Sequence, residues 1–425
     1  MANAGWRRQH AEAAEGIIRQ HHPDRIILVG TLILLLAGLL VIYAIGPQRA
    51  QLMNSIFGYN YSDQYFFQKQ LISSALALVG FFAMTKIPYT WVLKHGSKVL
   101  WIGFIACALL AIGGWLHLIA ATNGAVRWID LGPLGSVQPA EILKFGILLY
   151  LAVFLGIRVK EGKVNDFKAT LLPVTIITAL GLLFVIVIQK DMGTGMSLTA
   201  ISVTMLFVAG INRKVIFGLI GLLVLAGLML IFTAPHRVER ILTYLQGDNT
   251  TTTDADAYQV EHAKIAIGSG GLFGVGIGGS VQASGYLPEA INDSIFAIIG
   301  ETFGFIGTVA LLALFVALLM RLLTVMDHLV DIRLKLLAAG VFGWMGAHVI
   351  LNIAAMIGIF PLTGITLPLL SYGGTSMIFM TAALGLIYQL SRYTAHPSRI
   401  KEDDYEDTRR GRGVGRTRYA SRRRA

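Results

Sequence analysis

One acidic side chain stands where chemistry could be done. Asp293 follows the turn Tyr286-Leu-Pro-Glu289 and precedes a long apolar run, so a helix starts at or just after it. Just upstream, seven glycines crowd into Gly268–Gly279. Glycine at that density is too permissive for a helix and too bare for a core. It suggests a loop folded tightly on itself, or against something that must come close to backbone. At a helix start Asp293 can cap free amides; held rigidly beside a cleft it can equally act as a general base.

Other ionisable groups sit in apolar surroundings, where charge is costly and marks function. Glu141 and Lys144, in Gln138-Pro-Ala-Glu-Ile-Leu-Lys144, share one helical face at a spacing of three. That spacing fits a self-neutralising ion pair and a substrate contact alike. Arg127 precedes Trp128; it reads as a headgroup anchor, or as a fork for the oxygens of a pyrophosphate. Asp191, in Gln189-Lys-Asp-Met-Gly-Thr194, reads first as a helix cap. His348 and Asn352, one helical turn apart, read as buried hydrogen-bonding groups. Glu301, two turns into the helix after Asp293, is expected to face inward.

The elements that must position these groups follow from composition. The chain has 425 residues, 55% hydrophobic and 14% charged, with mean hydropathy +0.66. Soluble domains carry about 25% charged residues, so this is a polytopic membrane protein. The single cysteine, Cys107, excludes an intrachain disulfide and a cysteine-built metal site. The polar first 20 residues give no cleavable signal peptide.

Apolar stretches near the roughly 20 residues that cross a bilayer are read at 26–46, 68–86, 99–119, 139–157, 169–188, 191–211, 215–233, 294–319, 335–357 and 368–390. Lys and Arg concentrate in the loops that share a side with both termini, among them Lys94, Lys98, Arg158, Lys160, Lys163, Arg213 and Arg333. The expected fold is therefore an all-α polytopic membrane protein of about ten transmembrane helices. Both termini are cytoplasmic, and a large extracytoplasmic loop, 234–293, joins helices 7 and 8. Residues 1–25 form a cytoplasmic segment, 26–391 the transmembrane domain, and 392–425 a disordered basic tail.

The net charge of +11 does not indicate nucleic-acid binding, because the tail alone supplies +6 and suits anionic headgroups. Gly274–Gly279 matches G-x-G-x-x-G by letter but lies outside any strand–helix unit, so no dinucleotide site is expected.

The segments GAVRWID, QPAEILK, QKDMGT, YQVEHAKIAIGSGGLFGVGIGGS, YLPEAINDSIFAIIGE and GIFPLTGITLPLLSYGGTS, in this order, resemble the SEDS family (shape, elongation, division and sporulation). This is the FtsW, RodA and SpoVE group of peptidoglycan polymerases. The resemblance runs from His22 through Tyr393. Gly274-Val-Gly276 and the long terminal extensions look more like the FtsW division branch.

The resemblance implies a glycosyltransferase that polymerises lipid II into glycan strands at the outer face of the bacterial cytoplasmic membrane, at the division septum. It implies a class B penicillin-binding protein and other divisome proteins as partners, and a divalent cation (Mg or Mn) as cofactor. Asp293 takes the position of the catalytic aspartate. Arg127, Glu141, Lys144, Asp191, Gln282, Glu289, Glu301 and Ser371 become the substrate-binding set. In that scheme Asp293 deprotonates the acceptor GlcNAc 4-hydroxyl, which attacks the donor MurNAc C1 with inversion, while Arg127 and Lys144 stabilise the departing pyrophosphate.

Two alternatives remain. A lipid II flippase would need polar residues through the whole membrane depth, and here they cluster in the outer half. A non-catalytic divisome scaffold would tolerate replacement of Asp293. The family pattern also carries Pro at Lys190, Lys at Ala283, Phe at Ser294, Glu at Thr302 and Ser at Ala140. Losing the lysine at 283 is expected to weaken phosphate contact, with Lys190 a partial substitute.

Overall fold

The computed structural model describes residues 22–119, 125–130, 132, 136–218, 221 and 255–394. Helices α1 (Arg25–Phe57), α2 (Tyr65–Lys86) and α3 (Tyr89–Trp115) lead into a short antiparallel pair, β1 (Ile129–Asp130) and β2 (Ser136–Val137). Then come α4 (Pro139–Lys160), α5 (Leu172–Leu182) with a π-helical turn at each end, and the shorter α6 (Met192–Val208). Beyond the undescribed stretch lie α7 (Ala255–Ser269), α8 (Ile295–His328), α9 (Ile332–Met356) and α10 (Gly374–Leu390). Among the described residues eight helices are long and apolar enough to cross a membrane, and α6 is a shorter apolar helix. The protein is an all-α integral membrane protein. Most of the expected seventh span, the first part of the expected outer loop, and the tail from 395 onward lie outside the described residues.

Several boundaries differ from the sequence expectation. Helix α1 runs on past Gly46-Pro47 to a left-handed cap at Gly58 (φ 68°), because Pro47 does not stop it. Helix α3 begins ten residues before its apolar stretch, right after Pro88. Residues 255–269, expected within the loop, form α7, so Gly268 is helical. Its face of Gln259, Ala263 and Ala266 is buried at i, i+4, i+7 spacing.

Helices α4, α9 and α10 are the most enclosed. Between bilayer helices close backbone approach replaces the hydrophobic effect as the packing force. A Cβ on Gly146 of α4 would lie 2.6 Å from the Leu100 Cα of α3, and one on Gly385 of α10 would lie 2.4 Å from the Phe81 carbonyl of α2. At the end of the bundle where α1 begins, Asp24 caps α1, pairs with Arg321 of α8, and donates its backbone N–H to Ser391 Oγ.

The decisive local feature is a break in α8. Gly304 sits inside the helix at φ 66°, ψ −165°. A left-handed residue there removes the normal i to i−4 bonds of that turn, and buried backbone groups must find other partners. The glycine loop supplies them. Val275 and Gly276 donate to the carbonyls of Glu301 and Thr302 (2.9 and 3.0 Å), while Phe305 and Ile306 donate to those of Gly271 and Leu272 (2.8 and 3.2 Å). The loop is spliced into the helix ladder. It can come this close only without side chains: a Cβ on Gly270 would lie 2.0 Å from the Gly300 oxygen, and one on Gly274 2.2 Å from the Thr302 oxygen. The close approach that the glycine density announced is therefore largely to the protein's own helix.

This geometry separates two glycines of similar backbone conformation. Gly274 (φ 82°) faces the α8 backbone, whereas Gly276 (φ 85°) has nothing near its missing Cβ. Gly276→Ala carries the conformational cost alone, about 1 kcal/mol. Gly274→Ala also disrupts the splice, at roughly 1–3 kcal/mol for each buried hydrogen bond lost. Thermal unfolding in detergent is expected to show a much larger fall in Tm for Gly274→Ala than for Gly276→Ala.

Candidate functional site

The residues singled out from the sequence fall into two groups. The first surrounds Asp293. Past the splice the chain makes a 3-10 turn, Gln282–Ser284, whose start is held by Glu301 of α8. The buried Glu301 carboxylate accepts from Ser280 Oγ (2.5 Å), Val281 N (2.9 Å) and Gln282 N (3.2 Å). Glu301 does face inward as expected, but its oxygens are taken up by the loop.

The turn then leads to Glu289, which sits in left-handed backbone (φ 51°) with its carboxylate hydrogen-bonded by Asn292 Nδ2. Asp293 follows, and it is Ser294 that occupies the cap position of α8, making no side-chain cap bond. Asp293 is thus not used as a cap.

Its backbone is clamped from the other side of the bundle. Asn352 of α9 donates to the carbonyls of Asp293 (2.6 Å) and Ile365 (2.7 Å). Ser371 Oγ donates to the Asn292 carbonyl (2.7 Å) and accepts from Leu367 N (2.8 Å), and Tyr372 N donates to the Ile291 carbonyl (2.8 Å). The side chain is held from α7: Gln259 Nε2 donates to Ser294 Oγ (2.8 Å) and to Asp293 Oδ1 (3.4 Å). Ser294, one of the departures from the family pattern, therefore anchors the glutamine that reaches Asp293. Burial, and secondly the Glu289 carboxylate, push the Asp293 carboxyl up to about 7.

The second group sits around the start of α4. Lys144 Nζ lies 2.8 Å from Glu141 Oε1 with side-chain exposures of 0% and 2%, and 4.8 Å from the centre of the Trp344 ring. The ion-pair reading of these two residues is the one the structure supports. Asp191 caps α6 through Thr194 N (2.9 Å), and its second oxygen accepts from Gln138 Nε2 (2.9 Å) at the cap of α4. Arg127 donates to the carbonyls of Gln189 (3.1 Å) and Lys190 (2.7 Å). Lys190 itself is left-handed (φ 54°), a conformation closed to the proline of the family pattern.

The two groups share no direct contact among the described hydrogen bonds, but α9 joins them. Trp344, under Lys144, donates to His348 Nε2 (3.3 Å); His348 Nδ1 donates to the Thr366 carbonyl (3.1 Å); and Asn352, one turn on, reaches Asp293. His348 and Asn352 are buried hydrogen-bonding groups as expected, with backbone and Trp344 rather than each other as partners.

Sequence reasoning missed three contributors. Gln259 and His262 lie in the segment read as loop. His262 donates from Nδ1 to Gln282 Oε1 (2.8 Å). Arg49 lies three residues past the expected end of the first span at 46, yet α1 carries it beside Glu289, with no hydrogen-bond partner for its buried Nε among the described residues. The neighbouring Gln48 Nε2 donates to the carbonyls of Gly278 and Ser280 (both 3.2 Å). Their signal was the length of α1, which Gly46-Pro47 concealed.

An integral membrane protein with one partly buried carboxyl, raised toward neutrality beside a spliced loop, is the class this site defines. The chain belongs to the FtsW/RodA/SpoVE family of cell cycle proteins, whose model matches residues 25–396. It is 35% identical over 382 residues to stage V sporulation protein E of Bacillus subtilis, covering 88% of this chain and 98% of that protein. It is 33% identical over 372 residues to a probable peptidoglycan glycosyltransferase FtsW of Nitrosomonas europaea, covering 86% and 92%. A solved peptidoglycan synthase complex contains a chain of the same fold, with TM-score 0.69 and 24% identity over 88% of this chain and 99% of that one.

The buried pair gives a direct test. Removing one partner strands a charge at a cost of about 3–5 kcal/mol, whereas removing both leaves none. Glu141→Gln is expected to lower Tm strongly, and Glu141→Gln with Lys144→Met to recover much of the loss, measured as a double-mutant cycle.

Proposed function

We propose that this chain is a peptidoglycan glycosyltransferase that polymerises lipid II at the extracytoplasmic face of the cytoplasmic membrane, with Asp293 as its general base. The observation that carries the reading is the state of that carboxyl. A base works best when its pKa lies near the operating pH, and burial beside Glu289 brings Asp293 to about 7. Two clamps fix it, Gln259 at the side chain and Asn352 at the carbonyl.

In the reaction Asp293 takes the proton of the acceptor GlcNAc 4-hydroxyl, and the oxygen attacks MurNAc C1 of the donor. The C1–oxygen bond to the undecaprenyl pyrophosphate breaks, with inversion. Pyrophosphate needs no acid, only positive charge. Lys144 is enclosed with Glu141, so we assign it to holding α4 in place. Arg127 spends two donors on the 189–190 backbone and holds the start of α6. Arg49, beside Glu289 with Nε unspent, is the cation best placed to meet phosphate oxygens.

Among the described residues no three His, Cys, Asp or Glu side chains converge on a metal-sized site. Glu289 suits a hard cation that also rides on substrate phosphates, with Asp293 left free as the base. Such a cation would neutralise charge on the leaving group.

The proposal extends to orientation and partners. Both termini are cytoplasmic, the Asp293 face is outside, and a class B penicillin-binding protein cross-links the product at the septum alongside other divisome proteins. The family membership, the glycosyltransferase relative and the basic inner loops support this reading.

The test is incubation of the purified chain, with and without a class B partner, with lipid II and Mg²⁺, and separation of the products on a gel. A glycan ladder is expected, reduced at least about 10²-fold in Asp293→Asn. A ladder at the native rate in that variant would move the base elsewhere. Headgroup transfer in liposomes without polymer would replace the enzyme reading with a flippase.

A further inference from the structure

The strap 282–293, which carries Gln282 and Glu289, also carries an aromatic ring that the chemistry above does not use. Tyr286 is 54% exposed, and its ring lies parallel to that of His262, 16° apart with centroids at 6.1 Å. On α7 the His262 ring packs in turn on Tyr258, at 4.1 Å, as the i, i+4 spacing dictates. The three rings form a wall, two of them from α7 and one, the exposed Tyr286, from the strap. The wall adjoins the proposed base: Gln259, on α7 between Tyr258 and His262, is the residue that reaches Asp293 Oδ1, and Glu289 is three residues beyond Tyr286.

The polar edge of this wall is also defined. Gln282 Oε1 can only accept, so His262 donates from Nδ1, and in the neutral tautomer this leaves a lone pair on Nε2. Aromatic faces with an acceptor and a carboxamide at their margin are the groups a pyranose ring requires. Its axial C–H bonds pack on the negative ring face, and its hydroxyls donate to the nitrogen. A membrane-interface aromatic belt needs rings but has no use for the Gln282–His262 bond, which fixes the tautomer.

We propose that Tyr258, His262 and Tyr286 form a saccharide-stacking subsite that holds a pyranose of the β-linked amino-sugar glycan beside Asp293. The inference rests on the glycosyltransferase reading for the identity of the sugar, but its binding step is independent of the base.

The test uses the full chain in detergent and a GlcNAc–MurNAc tetrasaccharide lacking both lipid and peptide. Saturation-transfer NMR from the aromatic protons to the sugar protons is measured in the wild type and in Asp293→Asn, where binding is expected to be equal. Tyr286→Ser, whose exposed ring makes misfolding a small risk, is expected to weaken the apparent Kd about fivefold, as is His262→Leu. Tyr286→Phe, which keeps the ring, is expected to bind as wild type. In polymerisation, Tyr286→Ser is expected to raise KM for lipid II by a similar factor with kcat within about twofold.

Absence of transfer in the wild type, or binding unchanged in both Tyr286→Ser and His262→Leu, would overturn the subsite. Binding that follows this pattern while no preparation makes polymer would overturn the glycosyltransferase reading and leave the subsite standing.

Discussion

The splice of the glycine loop into the broken turn of α8 is the constraint on which the rest depends. Four backbone hydrogen bonds cross between Gly271–Gly276 and Glu301–Ile306, and they supply the partners that the broken turn of α8 lacks. Neither partner is stable in this form without the other: the helix needs the loop to complete its ladder, and the loop needs the helix to fold against. From that junction the Glu301 carboxylate fixes Ser280–Gln282, and the strap to Asp293 follows within a few residues. The position of one carboxylate is therefore set by a defect in a membrane helix.

The surroundings of Asp293 continue the same logic. Its backbone is gripped by side chains from α9 and the 365–372 segment, and its carboxylate by Gln259 of α7 together with the backbone N–H groups of Asp293 and Ser294. A carboxylate surrounded by strong donors would be held charged and inert. Here burial, with Glu289 nearby, outweighs the hydrogen bonds from Gln259 and the adjoining backbone and leaves the group exchanging its proton near neutrality. The buried pair Glu141–Lys144 is neutralised internally and lies in the scaffold, joined to the site through Trp344, His348 and Asn352.

Much of this was legible in the sequence, and the illegible parts have physical causes. Hydropathy located the apolar spans because a bilayer imposes a length on them, and it misplaced ends where polar residues occur inside helices, as at Lys94, His95 and Lys98 in α3. Asp293, Glu141 and Lys144 stood out because charge among apolar residues is rare. Gly304 did not: it is one of three glycines, with Gly300 and Gly307, in an apolar run, and only the loop 30 residues upstream makes it a break. Glu301 was expected to face inward, but its partners, Ser280 to Gln282, were not legible because they are distant in sequence. The left-handed Lys190 and Glu289 were invisible because neither residue type announces positive φ.

The pH dependence of the polymerisation rate under single-turnover conditions tests the central claim most directly. A base acts deprotonated, so a carboxyl raised to about 7 makes the rate rise tenfold per pH unit on the acidic side and level off above about pH 7. The account predicts that limb in the wild type, and its disappearance from the residual rate of Asp293→Asn. A limb near the ordinary carboxylate range of about 4, or one near 7 that persists in Asp293→Asn, would contradict it.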